Sequence, residues 1–307
     1  MRWHQGGRPM LDRRAFVAAA LCAAGGLVGC SGAGGAQGQD GAPEQGSATE
    51  PQNVVALMRS LADMWLLAGG TLVGVTEDAT DLDGVGSATT VGTDAKPSLE
   101  AIVGLDPGLV LLSGEIPAQV ELRDSLDGQG VTTQAVTIES FGDYASVMAQ
   151  LCAMTGRGDL YDQNVTTVQA DIDEVRNQAG KLPQASYLAL RTSAAKSKVL
   201  KDDHFACEIL DDLALANVAE GTSSLDDLSL EAIAAADPDN VFVIYQGRED
   251  EAASAFEEGF SSQPMWQDLS ATKTGHVYVL PKDLFQYKPN ARWAEAYRYI
   301  LDLREQG

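Results

Sequence analysis

Short apolar runs alternate with amphipathic stretches from Asn53 to the end of the chain. The runs are rich in valine, leucine and isoleucine, as in Leu109–Leu112, which is typical of strands buried on both faces of a parallel sheet. In the stretches between them, apolar residues recur at spacings of three and four, which predicts helices that bury one face. This alternation predicts an α/β fold with a largely parallel sheet.

The predicted elements fall into two sets. The first set has strands at Asn53–Leu57, Thr71–Val75, Leu109–Leu112 and Thr133–Thr137, and helices at Leu61–Ala68, Ser98–Gly104, Pro117–Leu126 and Tyr144–Met154. The second set, after Pro183, has strands at Ser186–Leu190, Val241–Tyr245 and His276–Leu280, and helices at His204–Leu215, Leu230–Ala235, Glu249–Glu257 and Ala291–Arg304. We therefore expect an N-terminal α/β lobe at 52–157 and a C-terminal α/β lobe at 183–307.

A long helical stretch separates the two sets. Its apolar residues recur at spacings of three and four, namely Val165, Val168, Ile172, Val175 and Ala179. Gly180 and Pro183 provide the stop signal. At about 1.5 Å per residue, a helix over Asp159–Gly180 spans roughly 33 Å. The sequence therefore predicts a stiff connection at 158–182 between lobes that rock only a little.

The N-terminus has the pattern of an export leader. Arg13 and Arg14 precede an apolar run that ends at Gly29 and is too short to span a bilayer stably. Leu27–Cys30 resembles a bacterial lipobox, which predicts removal of residues 1–29 and lipidation of Cys30. The paired arginines also resemble a twin-arginine signal, and ordinary export stays an open alternative. Residues 30–51 have a composition that predicts a flexible tether, so the protein should sit on the outer face of the cytoplasmic membrane.

The net charge changes the range of possible partners. The whole chain carries a formal charge of −23, and removing the +3 of residues 1–29 leaves −26 for the exported part. Such a body repels phosphate backbones and anionic headgroups, so we expect no nucleic-acid partner and contact with the membrane through the lipid alone. Export permits a disulfide between Cys152 and Cys207, but their places on apolar helical stretches favour buried free thiols.

One motif occurs once in each lobe. Ser98–Ile102 recurs as Ser229–Ile233, and an Asp-Pro pair and an apolar strand follow each copy at the same distance. Together with Leu72–Thr76, Val91-Gly92 and Gly275–Pro281, these copies resemble the type III substrate-binding proteins of cobalamin, haem and ferric-siderophore importers. The resemblance covers roughly residues 53–305.

The resemblance implies two Rossmann-like α/β lobes joined by one long rigid helix, with a ligand cleft between them. It implies a monomer that delivers a metal chelate or macrocycle to the permease dimer of an ABC importer. A ferric siderophore is the leading cargo, followed by haem and cobalamin. In such proteins the acid of each Ser-Leu-Glu helix forms a salt bridge to the permease, which here implicates Glu100 and Glu231. Alternatively, each glutamate only complements its helix dipole.

Ligands of α/β lobes bind near strand ends and the loops that follow them. This criterion selects candidate residues whose cations can pair with anionic groups and whose rings can stack on a planar ligand. The candidates are Arg59, Trp65, Arg191, Tyr245, Phe285, Tyr287 and Arg292. A place in the core is the alternative for the tryptophan, and a backbone contact is the alternative for Arg59.

Metal, cofactor and enzyme interpretations have little support in the sequence. The chain has three histidines, His4, His204 and His276, and they form no cluster of the kind that holds zinc. His204 follows two aspartates, but a solvated helix start is the favoured interpretation. No nucleophile elbow, Walker loop or dinucleotide fingerprint occurs. We expect a binding protein without catalytic residues or a resident cofactor. The alternative function is a surface lipoprotein that uses the same fold as a sensor or adhesion scaffold.

Overall fold

The structure, a computed structural model, describes residues 51–220, 225 and 229–306. Its strands are β1 Val54–Ala56, β2 Leu72–Val75, β3 Thr89–Thr90, β4 Gly92–Thr93, β5 Lys96–Pro97, β6 Leu109–Ser113, β7 Thr133–Val136, β8 Ala185–Thr192, β9 Ser197–Val199, β10 Leu215–Asn217, β11 Asn240–Tyr245 and β12 Val277–Val279. Its α-helices are α1 Arg59–Leu67, α2 Leu99–Val103, α3 Pro117–Asp127, α4 Phe141–Thr155, α5 Gly158–Tyr161, α6 Thr167–Ala179, α7 Phe205–Asp212, α8 Leu230–Ala236, α9 Glu249–Phe256, α10 Pro264–Gln267, α11 Ser270–Thr274, α12 Lys282–Phe285 and α13 Trp293–Gln306. The predicted leader, Cys30 and nearly all of the tether lie outside these residues.

Each lobe is built on its own sheet. The N-terminal sheet has the order β3-β2-β1-β6-β7, and all of its pairs are parallel. The C-terminal sheet has the order β10-β8-β11-β12 with parallel pairs, and β9 adds an antiparallel edge to β8. Strands β4 and β5 form a separate small hairpin. The prediction of a two-lobed α/β fold is confirmed.

The structure departs from the predicted elements mainly at the sheet edges. Strands β3, β4, β5, β9 and β10 were not predicted, and each is only two or three residues long. A strand of that length carries no measurable alternation, so the pattern cannot reveal it. The predicted helix at His204–Leu215 ends earlier, at Asp212, because Ala214 has a left-handed φ of 61° and turns the chain into β10.

Alternation along the central strands divides the interior into three cores. In β1, Val54 and Ala56 face one core while Val55 faces another. In β8, Tyr187 faces the same core as Val54, whereas Leu188 faces the third core. The inner faces of both sheets contribute to one continuous core, whereas each outer face has a core of its own. The two lobes therefore share a hydrophobic interior, which a simple pair of tethered domains would lack.

Trp293 lies at the centre of the shared core. Its ring makes edge-to-face contacts with Phe141 of the N-terminal lobe at 5.7 Å and with Phe205 of the C-terminal lobe at 5.6 Å. Tyr144 packs against it at 6.4 Å. The side chain is 0% exposed. Such ring pairs contribute about 0.5–1.5 kcal/mol each beyond their burial, so this cluster is a strong connection between the lobes.

A continuous helical segment from Gly158 to Ala179 links the lobes, with a π-helical turn at Asp162–Thr166 between α5 and α6. Asn164 in this turn donates from Nδ2 to the carbonyl of Leu67 at 3.0 Å. At the other end, Arg176 donates to the carboxylate of Asp212 at 2.6 Å. The segment is thus fastened to one lobe at each end. The exact bounds of the lobes stay predictions.

The two cysteines of the lobes are buried and form no disulfide. Burial raises the pKa of the Cys207 thiol to about 12, so the thiol stays protonated at neutral pH. The interpretation of Cys152 and Cys207 as buried free thiols is confirmed.

Replacing Trp293 with alanine should lower the free energy of unfolding by about 3–5 kcal/mol, the usual cost of removing a large buried ring. Because Trp293 contacts both lobes, the variant should also lose cooperativity and show two transitions in calorimetry. The matched control is Trp266→Ala, since Trp266 is buried in a core of the C-terminal lobe alone. A single transition in both variants would contradict a shared core that couples the lobes.

Candidate functional site

A cleft of about 360 Å³ lies between the two lobes. Its N-terminal wall is formed by Met58, Ser60, Asp78, Asp94, Ser113, Glu115, Ile116 and Pro117. Its C-terminal wall is formed by Arg191, Lys198, His204, Phe205, Gln246, Gln286, Tyr287 and Lys288. Most of these residues are polar or charged, so the cleft is suited to a polar ligand.

The sheets place these residues by a common rule. Met58 follows the end of β1, Glu115 follows β6, and Gln246 follows β11. The carboxyl ends of parallel strands lie at one edge of a sheet, and that edge is where open α/β sheets bind ligands. The carboxyl edges of the two sheets therefore face each other across the cleft.

Gln119 fixes the N-terminal wall. It is fully buried, and its Nε2 donates to the carbonyl of Leu57 at 2.7 Å and to the carbonyl of Asp94 at 2.8 Å. Its Oε1 accepts from the backbone N–H of Ser113 at 2.7 Å. One amide thus holds the ends of two strands and the loop that carries Asp94. A glutamine in a helix gives no sequence signal for such a role.

Cations concentrate on the C-terminal wall. Arg191 and Lys198 lie on the paired strands β8 and β9, and their backbones are in register. Neither side chain has a hydrogen bond or an ion pair with any residue that the structure describes. Burial lowers the pKa of both groups, and the charge of Arg191 lowers the pKa of Lys198 further. Two unpaired cations at a partly desolvated wall attract anionic groups of a ligand.

His204 lies among these cations. Burial, together with the charges of Lys288, Arg191 and Lys198, holds the pKa of its imidazole well below the usual range. Its Nδ1 accepts from the backbone N–H of Ala206 at 3.2 Å, so the proton of the neutral ring is on Nε2. His204 is therefore a neutral donor in the cleft. The expected helix start is present, because His204 is the N-cap of α7, but its ring is half-buried and stacks on Phe205.

Lys288 joins the two walls. Its Nζ donates to the carbonyl of Ile138 at 2.6 Å and lies 3.4 Å from the carboxylate of Glu115. Its backbone N–H donates to Ser60 Oγ at 3.1 Å. The next turn adds Asn290, whose Nδ2 donates to the Ser60 carbonyl at 2.9 Å. These contacts hold the lobes together beside the cleft and engage the charges of Lys288 and Glu115 with each other.

The cleft contains two of the predicted ligand residues, Arg191 and Tyr287. Arg59 and Arg292 line a smaller adjoining cavity, which also contacts Tyr287. There the guanidinium carbon of Arg59 lies 5.4 Å from the centre of the Tyr287 ring, and Arg59 pairs with Asp81. The charge of Arg292 is engaged by Asp283 and Glu295, each at 2.7 Å.

Three predicted ligand residues lie elsewhere. Trp65 is 0% exposed and donates from Nε1 to the carbonyl of Thr71 at 2.8 Å, so it is a core residue. Phe285 is also 0% exposed and packs against Tyr299. These two rings face the interior because their helices are amphipathic, and we correct both assignments. Tyr245 lines a separate pocket on the C-terminal lobe and packs against Phe256.

Other residues of the cleft were not singled out by sequence reasoning. Lys198 lies on β9, a strand too short to be predicted. Asp94, Gln246 and Gln286 lie within loops that the strand-end rule selects, but nothing in the sequence distinguishes them from their neighbours. The rule therefore locates the cleft more reliably than it identifies the side chains that face it.

The two motif glutamates occupy equivalent positions. Glu100 is the second residue of α2 and Glu231 the second residue of α8, and both are exposed. Each helix is capped by its serine: Ser98 Oγ accepts from a backbone N–H at 3.3 Å, and Ser229 Oγ does so at 3.1 Å. The repeated sequence thus produces a repeated local structure with one free carboxylate on each lobe.

Two features are absent from the described residues. No helix there has the length and apolar character needed to cross a membrane. No group of three or more histidine, cysteine or acidic side chains in that part of the chain is arranged to hold a metal ion.

Two α/β lobes with a polar cleft at their facing strand ends are an architecture suited to a substrate-binding protein. The family model described as periplasmic binding protein matches residues 54–284. The chain belongs to this family.

Relatives and solved structures agree with this assignment. The Fe(3+)-citrate-binding protein YfmC of Bacillus subtilis is 26% identical over 252 residues, which cover 76% of this chain and 74% of that protein. The putative ABC transporter substrate-binding lipoprotein YhfQ of the same organism is 23% identical over 272 residues, 82% of each chain. The crystal structure of S. aureus IsdE complexed with heme is 19% identical, with a TM-score of 0.73, and the match covers 82% of this chain and 98% of that one. At 19% identity, the similarity to IsdE shows a shared fold alone.

The pKa of His204 should rise when a neighbouring cation is removed. Arg191→Gln and Lys198→Gln each delete a positive charge that disfavours protonation of the ring, so each should shift its titration upward. The shift can be followed by NMR of the imidazole signals, with His204→Gln used to assign them. A titration unchanged in both variants would show that the cations lie too far from His204 to form one site.

Proposed function

We propose that this protein is the extracytoplasmic binding component of an ABC importer and captures between its lobes a ferric chelate that carries an anionic group. The observation that carries this proposal is the pair of unpaired cations, Arg191 and Lys198, at one wall of the cleft. Ferric siderophores and ferric citrate present carboxylate, catecholate or hydroxamate oxygens, which such cations and the Nε2–H of His204 can bind. The names of the relatives, which bind ferric citrate or belong to ABC transporters, support the same cargo class.

A chelate fits the cleft better than haem or cobalamin. Haem iron takes axial ligands such as histidine, methionine or tyrosine. His204 uses Nδ1 to accept a backbone hydrogen bond and presents a protonated Nε2, which leaves Met58 and Tyr287 as the candidate axial ligands in the cleft. In a chelate the iron is already coordinated, so hydrogen bonds and charge suffice. The volume of about 360 Å³ lies near the lower end of the usual range for ligand pockets and favours a compact ligand over cobalamin.

Ferric chelates should quench tryptophan fluorescence of a soluble fragment that begins after Cys30, and the quenching should saturate. Arg191→Gln and Lys198→Gln should each weaken binding about tenfold, because each removes a charge that faces the anion. Tyr245→Phe is the control, since Tyr245 lines another pocket. Ferric citrate, a hydroxamate siderophore, haem and cyanocobalamin form the panel, with correction for absorbance. If haem or cyanocobalamin alone saturates, the cargo class is wrong.

We also propose that Glu100 and Glu231 dock the loaded protein on the permease. Their support is the equivalence of the two capped helices, because one exposed carboxylate per lobe matches a partner with two similar halves. The lipobox at Cys30 supports attachment to the outer face of the membrane through a lipid, with a monomeric body free on its tether. Exposed ion pairs are individually weak, so these contacts would set orientation more than affinity.

Reversing both charges in Glu100→Arg/Glu231→Arg should abolish uptake of the radiolabelled ferric chelate by cells and leave chelate affinity unchanged. Glu174→Arg is the control, because Glu174 is exposed on α6, away from both helices. Normal uptake in the double variant would contradict the docking role and favour the alternative of a ligand sensor or adhesion scaffold without transport.

A further inference from the structure

The charges of the cleft differ in whether the protein itself neutralises them. Among the described residues of the cleft, Lys288 Nζ lies 3.4 Å from the carboxylate of Glu115, and the two form an ion pair. Arg191 and Lys198 form no ion pair with a described residue, and Glu115 and Asp203 act on them only at longer range. The positive charge that lacks an ion-pair partner therefore lies on the C-terminal wall of the cleft.

The N-terminal wall has the opposite character. Asp94 is half-buried, and its carboxylate accepts the backbone N–H of Ala95 at 2.8 Å. No lysine or arginine of the described chain lies within ion-pair distance of it. Burial and the neighbouring charge of Asp78 both raise the pKa of Asp94, so the two carboxyl groups are close enough to repel each other. A cation between the carboxylates of Asp94 and Asp78 would offset both the cost of burying Asp94 and the repulsion between the two groups.

Two acceptors that are buried beside the cleft strengthen this observation. Asp78 receives the backbone N–H of Arg59 on Oδ2, but no donor from the described residues reaches its Oδ1. On the facing wall, Oε1 of Gln286 is also buried and receives no donor from the described residues. A buried acceptor without a donor is unfavourable, so these two groups favour an occupant of the cleft that brings hydrogen-bond donors.

From these observations we propose that the cleft selects a zwitterionic ferric chelate, one that carries an anionic group and a protonated amine. The anionic group pairs with Arg191 and Lys198, and the ammonium pairs with Asp94 and Asp78. This inference rests on the proposed function and narrows its ligand class. It also implies that the acidic wall disfavours polyanionic chelates, because an unmatched charge facing Asp94 is repelled.

A matched set of linear ferric trihydroxamates tests the inference. One member carries a terminal carboxylate and a terminal primary amine, a second has the same chain with the amine acetylated, and ferric citrate serves as the polyanion. Affinities are measured by fluorescence titration of the wild type and of Asp94→Asn. Asp171→Asn is the matched control, because Asp171 is exposed on the connecting helix.

In the wild type, the amine-bearing chelate should bind about tenfold more tightly than its acetylated counterpart. Asp94→Asn should remove that difference by weakening the amine-bearing form alone, and it should strengthen the binding of ferric citrate. Asp171→Asn should change none of these affinities.

The outcomes separate the inference from the proposed function. Equal affinity for the amine-bearing and acetylated chelates, or a difference that persists in Asp94→Asn, would overturn the zwitterion preference while leaving chelate binding intact. Failure of every ferric chelate to bind would overturn both.

Discussion

The shared hydrophobic core around Trp293 is the constraint on which the rest of the structure depends. Strand alternation sends the inner face of each sheet into this core, and the rings of Phe141 and Phe205 meet on Trp293 from opposite lobes. Separating the lobes would expose these rings to water at a cost of about 25 cal/mol per Å² of apolar surface. The core thus fixes the distance between the facing strand ends. The cleft exists largely preformed at that distance.

A preformed cleft gives fixed charges a large role. Strand pairing fixes the backbones of Arg191 and Lys198, and Gln119 fixes the backbone of Asp94, before a ligand arrives. A fixed backbone reduces the ordering entropy lost on binding, which leaves more of the electrostatic attraction available as affinity. Partial burial also strengthens each charge interaction relative to bulk water. Under the proposed function, discrimination between ligands would depend on the charge pattern of the cleft more than on lobe closure.

The sequence predicted the lobes, the helical connection and most central elements because strong periodicity marks long, buried segments. It predicted the cleft only by the strand-end rule. Trp65 and Arg191 both satisfied that rule, but whether a side chain faces the cleft depends on a helix rotation or strand register that only the packed structure fixes. Lys198 and Gln119 could not be found, since one lies on a short edge strand and the other acts through backbone contacts.

The duplicated Ser-Leu-Glu motif constrains the protein in a different way. Capping by Ser98 and Ser229 explains the serine of each copy, and packing of Ile102 and Ile233 in the outer cores explains the isoleucine. Neither role requires a glutamate at the second helical position of both lobes. A first-turn acid contributes about 0.3–1 kcal/mol through the helix dipole, and aspartate would contribute similarly. Stability thus explains an acid in the first turn of each helix but not the choice of glutamate in both, and the proposed docking role would account for that choice.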